Sequence, residues 1–265
     1  MTITLGQYFP GNSVIHRLDP RVKIVLSLAL IVLVFFCNSA LTYGLFLAFL
    51  LGVSALSRIH LRFIIRGMKP ILFIVLMTFV INMLFTSGGT KIWSWRFITI
   101  TDLGVQTAVR MALRLILLVI VSQILTLTTS SISLTDGLES LLKPLAKIGF
   151  PAHELAMMMS IAMRFIPTLM KEADKIMKAQ KARGADFETG GLIKRARAML
   201  PLLVPLFISA FRRADELAMA MEARCYRGGV RRTRMKVLKL TRLDAAAVAV
   251  EAVFAALILI LVYSA

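Results

Sequence analysis

Long apolar blocks alternate over the first 130 residues with short clusters of Arg and Lys. Between Val22 and Ser57 only Lys23 and Cys37-Asn38-Ser39 interrupt 36 residues. As one helix this stretch would reach about 54 Å against a hydrocarbon core of about 30 Å, so it predicts two spans turning near Asn38. Further blocks from Ile71 to Phe85, from about Thr107 to Thr129 and from Ala245 to Val262 bring the expected total to five spans, several of them short. The segment from Ser131 to Arg242 differs: its apolar residues recur at helical spacing and strand-like runs are missing, so it too should be helical. The predicted fold is an all-α polytopic membrane protein with about five transmembrane helices. Residues 1–130 form a four-span bundle, 131–242 a cytoplasmic helical domain, and 243–265 the last span.

Composition agrees with this division. The chain is 58% hydrophobic and 17% charged, unlike a soluble domain, and its mean hydropathy is +0.80. The net charge of +18 reads as topology before it reads as nucleic-acid binding, because cytoplasmic loops retain Lys and Arg. The start (Arg17, Arg21, Lys23), the second loop (Arg58, Arg62, Arg66, Lys69) and the 131–242 segment together hold 28 of the 32 cations, whereas an outer loop holds Lys91 and Arg96. The N-terminus is therefore expected inside and the C-terminus outside. Met1 to Asn12 lack the basic start and apolar core of a cleavable signal, so the mature chain is expected to begin near Met1. Cys37 and Cys225 fall in different regions and offer no disulfide framework.

The two remaining cations, Arg110 and Arg114, lie four apart on one helix face near the outer end of the fourth span, where a cation snorkels or faces protein. Glu251 lies about two turns into the last span. An intramembrane carboxylate marks a functional site by default, although a pair with Arg114 would have to form from opposite sides of the membrane.

In the 131–242 segment a short helix is expected from Ser133, with Asp136 as capping-box partner, to Lys143-Pro144. Pro151 suits the first turn of a much longer helix that runs through Met157, Met158, Met159, Met163, Pro167 and Met170 and ends at Ala182-Arg183-Gly184. After Gly190 and Gly191 a second helix carries Pro201 and Pro205 and ends at Ala223-Arg224-Cys225, before Gly228-Gly229. Ala179, Ala182 and Arg183 match Ala220, Ala223 and Arg224 at a fixed offset of 41 residues. Alanines allow close approach, and a terminal Arg offers a rigid fork for a carboxylate. One such end is ordinary capping; two suggest two similar receiving sites on partners. Nine of the 15 methionines fall between Met157 and Met221, as adaptable contacts for differing partners or as core filling.

Several chemistries are excluded. No phosphate-binding Gly-x-x-x-x-Gly-Lys-Ser/Thr loop is present, so ATP chemistry would have to come from a partner. His16, His60 and His153 are dispersed, with no His-Glu-x-x-His or Cys/His cluster to hold a metal. Paired intramembrane carboxylates are also missing.

Five segments carry a family resemblance: Gly6-Gln7-Tyr8-Phe9-Pro10-Gly11, His16-Arg17-Leu18-Asp19-Pro20-Arg21, Arg164-Phe165-Ile166-Pro167, Gln180-Lys181-Ala182-Arg183-Gly184-Ala185-Asp186 and Ala220-Met221-Glu222-Ala223-Arg224. In order and content, from Gly6 to about Arg234, the chain resembles the transmembrane T component of energy-coupling factor transporters, a cobalt- and vitamin-type family of ATP-binding-cassette importers. The resemblance implies a non-catalytic subunit that binds no cofactor, with ATP and Mg on two P-loop ATPases, identical or homologous. It assigns ATPase docking to Ala182, Arg183, Gly184, Ala223, Arg224 and Cys225. It also implies a membrane S component, possibly one of several interchangeable ones, carrying a micronutrient and resting on helix surfaces that include Met157, Met158, Met163, Met170, Pro167, Pro201 and Pro205. Cys225 stands where the family usually has glycine, and a left-handed cap there costs about 1 kcal/mol; otherwise the helix runs on towards Gly228.

Two other classes compete. One is a stand-alone membrane carrier or enzyme using Glu251 with Arg110 and Arg114; the other is a scaffold for different soluble machinery. The run Arg231-Arg232-Thr233-Arg234 reads as an anchor to anionic lipid, and no nucleic-acid partner is expected.

Overall fold

The computed structural model describes residues 8–86, 88, 90–95, 98–187, 191–226, 228 and 238–264. Gly6, Gln7, Arg96, Gly190, Gly229 and the Arg231–Arg234 run lie outside the described residues. The chain divides into two compact units, one of residues 1–141 with 236–265 and the other of 142–235.

In the first unit a one-turn helix α1 (Val14–Arg17) precedes α2 (Pro20–Phe36), α3 (Ala40–Ser57) and α4 (Leu61–Phe85). A hairpin of β1 (Lys91–Trp95) and β2 (Ile98–Thr101) leads into α5 (Asp102–Thr128) and α6 (Ser131–Leu142), and α9 (Arg242–Ser264) closes the unit. α3, α4 from Arg62, α5 and α9 are long and apolar enough to cross a membrane. α2, with 17 residues, would reach about 26 Å and stands at the short limit for a span. The turn near Asn38 falls between α2 and α3 as the break in hydropathy requires.

Four differences from the sequence reading have local causes. Arg62, Arg66 and Lys69 are not in a loop but on the first turns of α4, which continues through Pro70. α6 starts at Ser131 rather than Ser133: the Ser130 hydroxyl accepts from the Ser133 amide at 3.2 Å, so Ser130 is the cap and Asp136 is not its partner. Pro151 is the N-cap of the helix that follows it, one position outside the first turn. Where a plain outer loop was expected, β1 and β2 pair antiparallel with Trp95 opposite Ile98.

The core of this unit lies where α2, α3, α5 and α9 meet: Leu30, Leu33 and Val34 from α2, Phe46 and Leu50 from α3, Leu117 and Val121 from α5, Phe254 and Ile258 from α9. The Phe254 ring stacks on Phe49 with centroids 4.0 Å apart and meets Phe46 edge-on at 5.5 Å. Polar bonds tie one end of these helices together. Asp244 accepts from the Asp19 amide at 2.7 Å, and from the amide and hydroxyl of Thr241, each at 2.7 Å. Lys23 donates to the carbonyls of His16 and Thr128 at 3.2 and 3.1 Å, and the Phe9 amide donates to Leu127 O at 3.0 Å.

The second unit comprises a short 3-10 turn (Lys143–Ile148) and two long helices, α7 (Ala152–Ala182) and α8 (Leu192–Ala223). At 31 and 32 residues they extend about 46 and 48 Å. Both pass through their prolines, Pro167 in α7 and Pro201 and Pro205 in α8, without ending.

Candidate functional site: two matched helix ends

α7 and α8 stop in the same way. At the end of α7 the Arg183 amide donates to Gln180 O at 3.1 Å, the Gly184 amide to Lys181 O at 3.0 Å and the Ala185 amide to Gln180 O at 3.0 Å. At the end of α8 the Arg224 amide donates to Met221 O at 3.1 Å, the Cys225 amide to Glu222 O at 2.8 Å and the Tyr226 amide to Met221 O at 3.0 Å. Each donor and each acceptor is displaced by the same 41 residues. Both ends are Schellman motifs, in which a left-handed residue turns the chain back so that its amides satisfy the last carbonyls of the helix. Gly184 supplies that residue in α7, with φ +90°, and Cys225 supplies it in α8, with φ 53°. α8 therefore does not run on towards Gly228; Cys225 accepts the strained conformation that glycine adopts freely.

This geometry leaves Arg183 and Arg224 as the last residue before each reversal. Both are exposed, and among the described residues neither side chain has an ion-pair or hydrogen-bond partner. Ala182 and Ala223 are exposed beside them. Each end thus presents a guanidinium fork on a small, backbone-rich knob, at the helix terminus where the macrodipole is negative and holds the cation.

A clasp that the sequence reading did not single out joins α7 to α8. Arg213 Nη2 donates to Glu172 Oε2 at 2.8 Å, and the Ser209 hydroxyl donates to Glu172 Oε1 at 2.7 Å. The Ser209 bond, aided by the Arg213 charge, holds the Glu172 carboxyl below its ordinary range, against a smaller opposing effect of burial. Glu172 and Arg213 are themselves 41 residues apart. Each stands 11 residues before the terminal Arg of its own helix (172 to 183, 213 to 224), an arm of about 16 Å. The offset of 41, already visible in the helix endings, was the signal that could have found this pair.

The expected platform residues separate. Met157 is half-buried and its sulfur accepts from the Tyr226 hydroxyl at 2.9 Å. Met163 and Met170 are half-buried, while Met158, Pro167, Pro201 and Pro205 are exposed. A broader apolar surface lies on α8, where Leu200, Val204, Phe207 and Phe211 are exposed at helical spacing. The sequence reading favoured methionine and passed over this stripe.

The intramembrane charges do not converge. Arg110 donates to Gln106 Oε1 at 3.0 Å on its own helix. Arg114 donates to Phe35 O at 3.3 Å, with its guanidinium 5.2 Å from the Phe35 ring centre. Glu251 meets neither. No group of His, Cys, Asp and Glu suited to a metal ion occurs among the described residues.

Residues 11–237 match the family model described as cobalt transport protein. The chain belongs to this family. Its curated relatives include energy-coupling factor transporter transmembrane proteins from Acidaminococcus fermentans, 58% identical over 92% of this chain and 90% of the relative, and from Ruminiclostridium cellulolyticum, 52% identical over 98% and 97%. The Bacillus subtilis relative is 47% identical over 98% of both chains. As an energy-coupling factor T component, the chain is a multi-pass membrane subunit of a transporter, and the resemblance carried by its five motifs is correct.

Proposed function

We propose that this subunit couples two cytoplasmic ATPases to a substrate-carrying S component, and that Arg183 and Arg224 are the two points of attachment. The observation that carries this reading is the duplication of an exposed Arg, without a partner among the described residues, on a matched Schellman end. One attachment would need one such end; two homologous or identical ATPases need two. The helix knobs seat in grooves that offer a carboxylate to each Arg, and ATP and Mg remain on the ATPases. The Glu172–Arg213 clasp holds the helices at equivalent points, so that displacement of one knob is passed to the other helix over arms of equal length.

The exposed α8 stripe, with Met158, supplies an adaptable apolar surface for the S component, which carries a vitamin or other micronutrient. Residues 131–242 act as the cytoplasmic coupling domain, with the N-terminus inside and the C-terminus outside. This orientation follows from the distribution of Lys and Arg.

The test is charge reversal at each knob. Arg183→Glu and Arg224→Glu should each release or uncouple one ATPase, read as the ATPase stoichiometry of the purified assembly and as transport in proteoliposomes. Full transport and full ATPase content in both variants would refute the assignment.

A further inference from the structure

Within the first unit, α2, α3, α5 and α9, with α1 at one end, line a half-open cavity of about 420 Å³, in the size range of small-molecule sites. Its walls are almost wholly apolar, with Leu30, Phe49, Val53, Ile124 and Ala247 among them. Glu251 and Lys23 are the charged residues that line it. Their situations differ. Lys23 is satisfied by the carbonyls of His16 and Thr128. Glu251 is 7% exposed, and its Oε1 is buried with no hydrogen-bond partner among the described residues. Asp244, seven residues earlier on the same helix, is by contrast bonded through both oxygens. Glu251 thus stands about 10 Å further along α9 from that polar cluster, in the wall of an apolar space large enough for a guest. Carboxylates in such surroundings are costly unless paired.

From this geometry we infer that the cavity is a binding site for a single-chain amphiphile bearing a primary amine, which enters from the bilayer, lays its alkyl body along the apolar walls and donates from its ammonium to Glu251. Charge complementarity selects the amine: Glu251 is the one carboxylate in the wall and has no ion-pair partner among the described residues, and the one cation, Lys23, is already held by two carbonyls. The site uses none of the residues of α7 or α8, so it stands or falls independently of the docking assignment.

The test uses the chain with whatever subunits co-purify, delipidated and placed in phosphatidylcholine nanodiscs, with native mass spectrometry counting bound dodecylamine, dodecanol or dodecanoate. Dodecylamine should bind one per chain and at least ten-fold more tightly than dodecanol or dodecanoate. Glu251→Gln, which keeps the shape, should remove that preference. Gly52→Leu should remove binding by filling the chamber; Gly52 lines it, and a Cβ there meets nothing within 4 Å. Equal binding of the three probes to the wild type, no binding of the amine, an unchanged preference in Glu251→Gln, or retained binding in Gly52→Leu would each overturn the proposal.

Discussion

Reversing one member of the Glu172–Arg213 clasp tests whether the two long helices act as a linked pair. The side chains are 35% and 26% exposed, so solvent screens the pair, and its coupling amounts to at most about a five-fold change in the equilibrium between a joined and a separated crossing. Arg213→Glu places two carboxylates at the crossing and should raise the ATP hydrolysed per substrate transported by about that factor in proteoliposomes. Glu172→Arg should do the same by opposing two guanidinium groups. Combining the two changes restores an ion pair of reversed polarity and should recover most of the coupling, with Ser209 left to serve whichever carboxylate remains. The reasoning fails if the double variant is no better than the worse single one, or if both single reversals leave the ATP-to-substrate ratio unchanged.

Cys225→Gly should relieve the left-handed strain and stabilise the end of α8 by about 1 kcal/mol, slowing amide exchange at Tyr226, whereas Gly184→Ala should speed exchange at Ala185 by a similar factor; the same sign in both would contradict the matched geometry. Because the Glu172 carboxyl titrates below its ordinary value of 4.5, its contribution is complete above that value and is lost as pH falls through the lower folded value. Hydrogen exchange across the α7–α8 crossing should therefore be flat from pH 7 to 5 after correction for intrinsic rates, then rise in acid, and Glu172→Gln should abolish the rise. Asp244→Ala strands the Asp19 amide and should destabilise the first unit by roughly 2 kcal/mol or more, measured as a lower melting temperature in detergent; an unchanged value would remove Asp244 from the account. A reporter fused after Ala265 should read as external, and a cytoplasmic signal would reverse the proposed orientation.

Hydropathy made the helices legible because lipid imposes a single length and a continuous apolar run on each span. The α2–α3 turn and the Ala182–Gly184 ending could be placed to within a residue for this reason and because glycine is the natural left-handed cap. The α4 start was obscured by Arg62, Arg66 and Lys69, which are loop-like by charge yet compatible with a helix emerging from the bilayer. The hairpin is written in the strand formers Ile92, Trp93, Trp95, Ile98 and Ile100, a run too short to stand out between two apolar spans. What could not be read was partnership across the chain. Nothing near Asp19 announces Asp244, 225 residues away, and only the three-dimensional path puts Glu251 in the wall of an apolar cavity.

The discontinuity of the first unit has a consequence for how the molecule is made. α9 supplies Phe254 and Ile258 to a core whose other walls, from α2, α3 and α5, leave the ribosome much earlier. Between α5 and α9 lie residues 129–241, 113 positions, which at about 5 to 20 residues per second take about 6 to 23 s to synthesise. Throughout that interval Phe46 and Phe49 lack their aromatic neighbour, and the Asp19 amide lacks its acceptor. Lipid tails are adequate temporary company for the rings but not for the amide. The nascent chain is therefore an unfinished bundle whose seam between α2, α3 and α5 stays open until α9 is made.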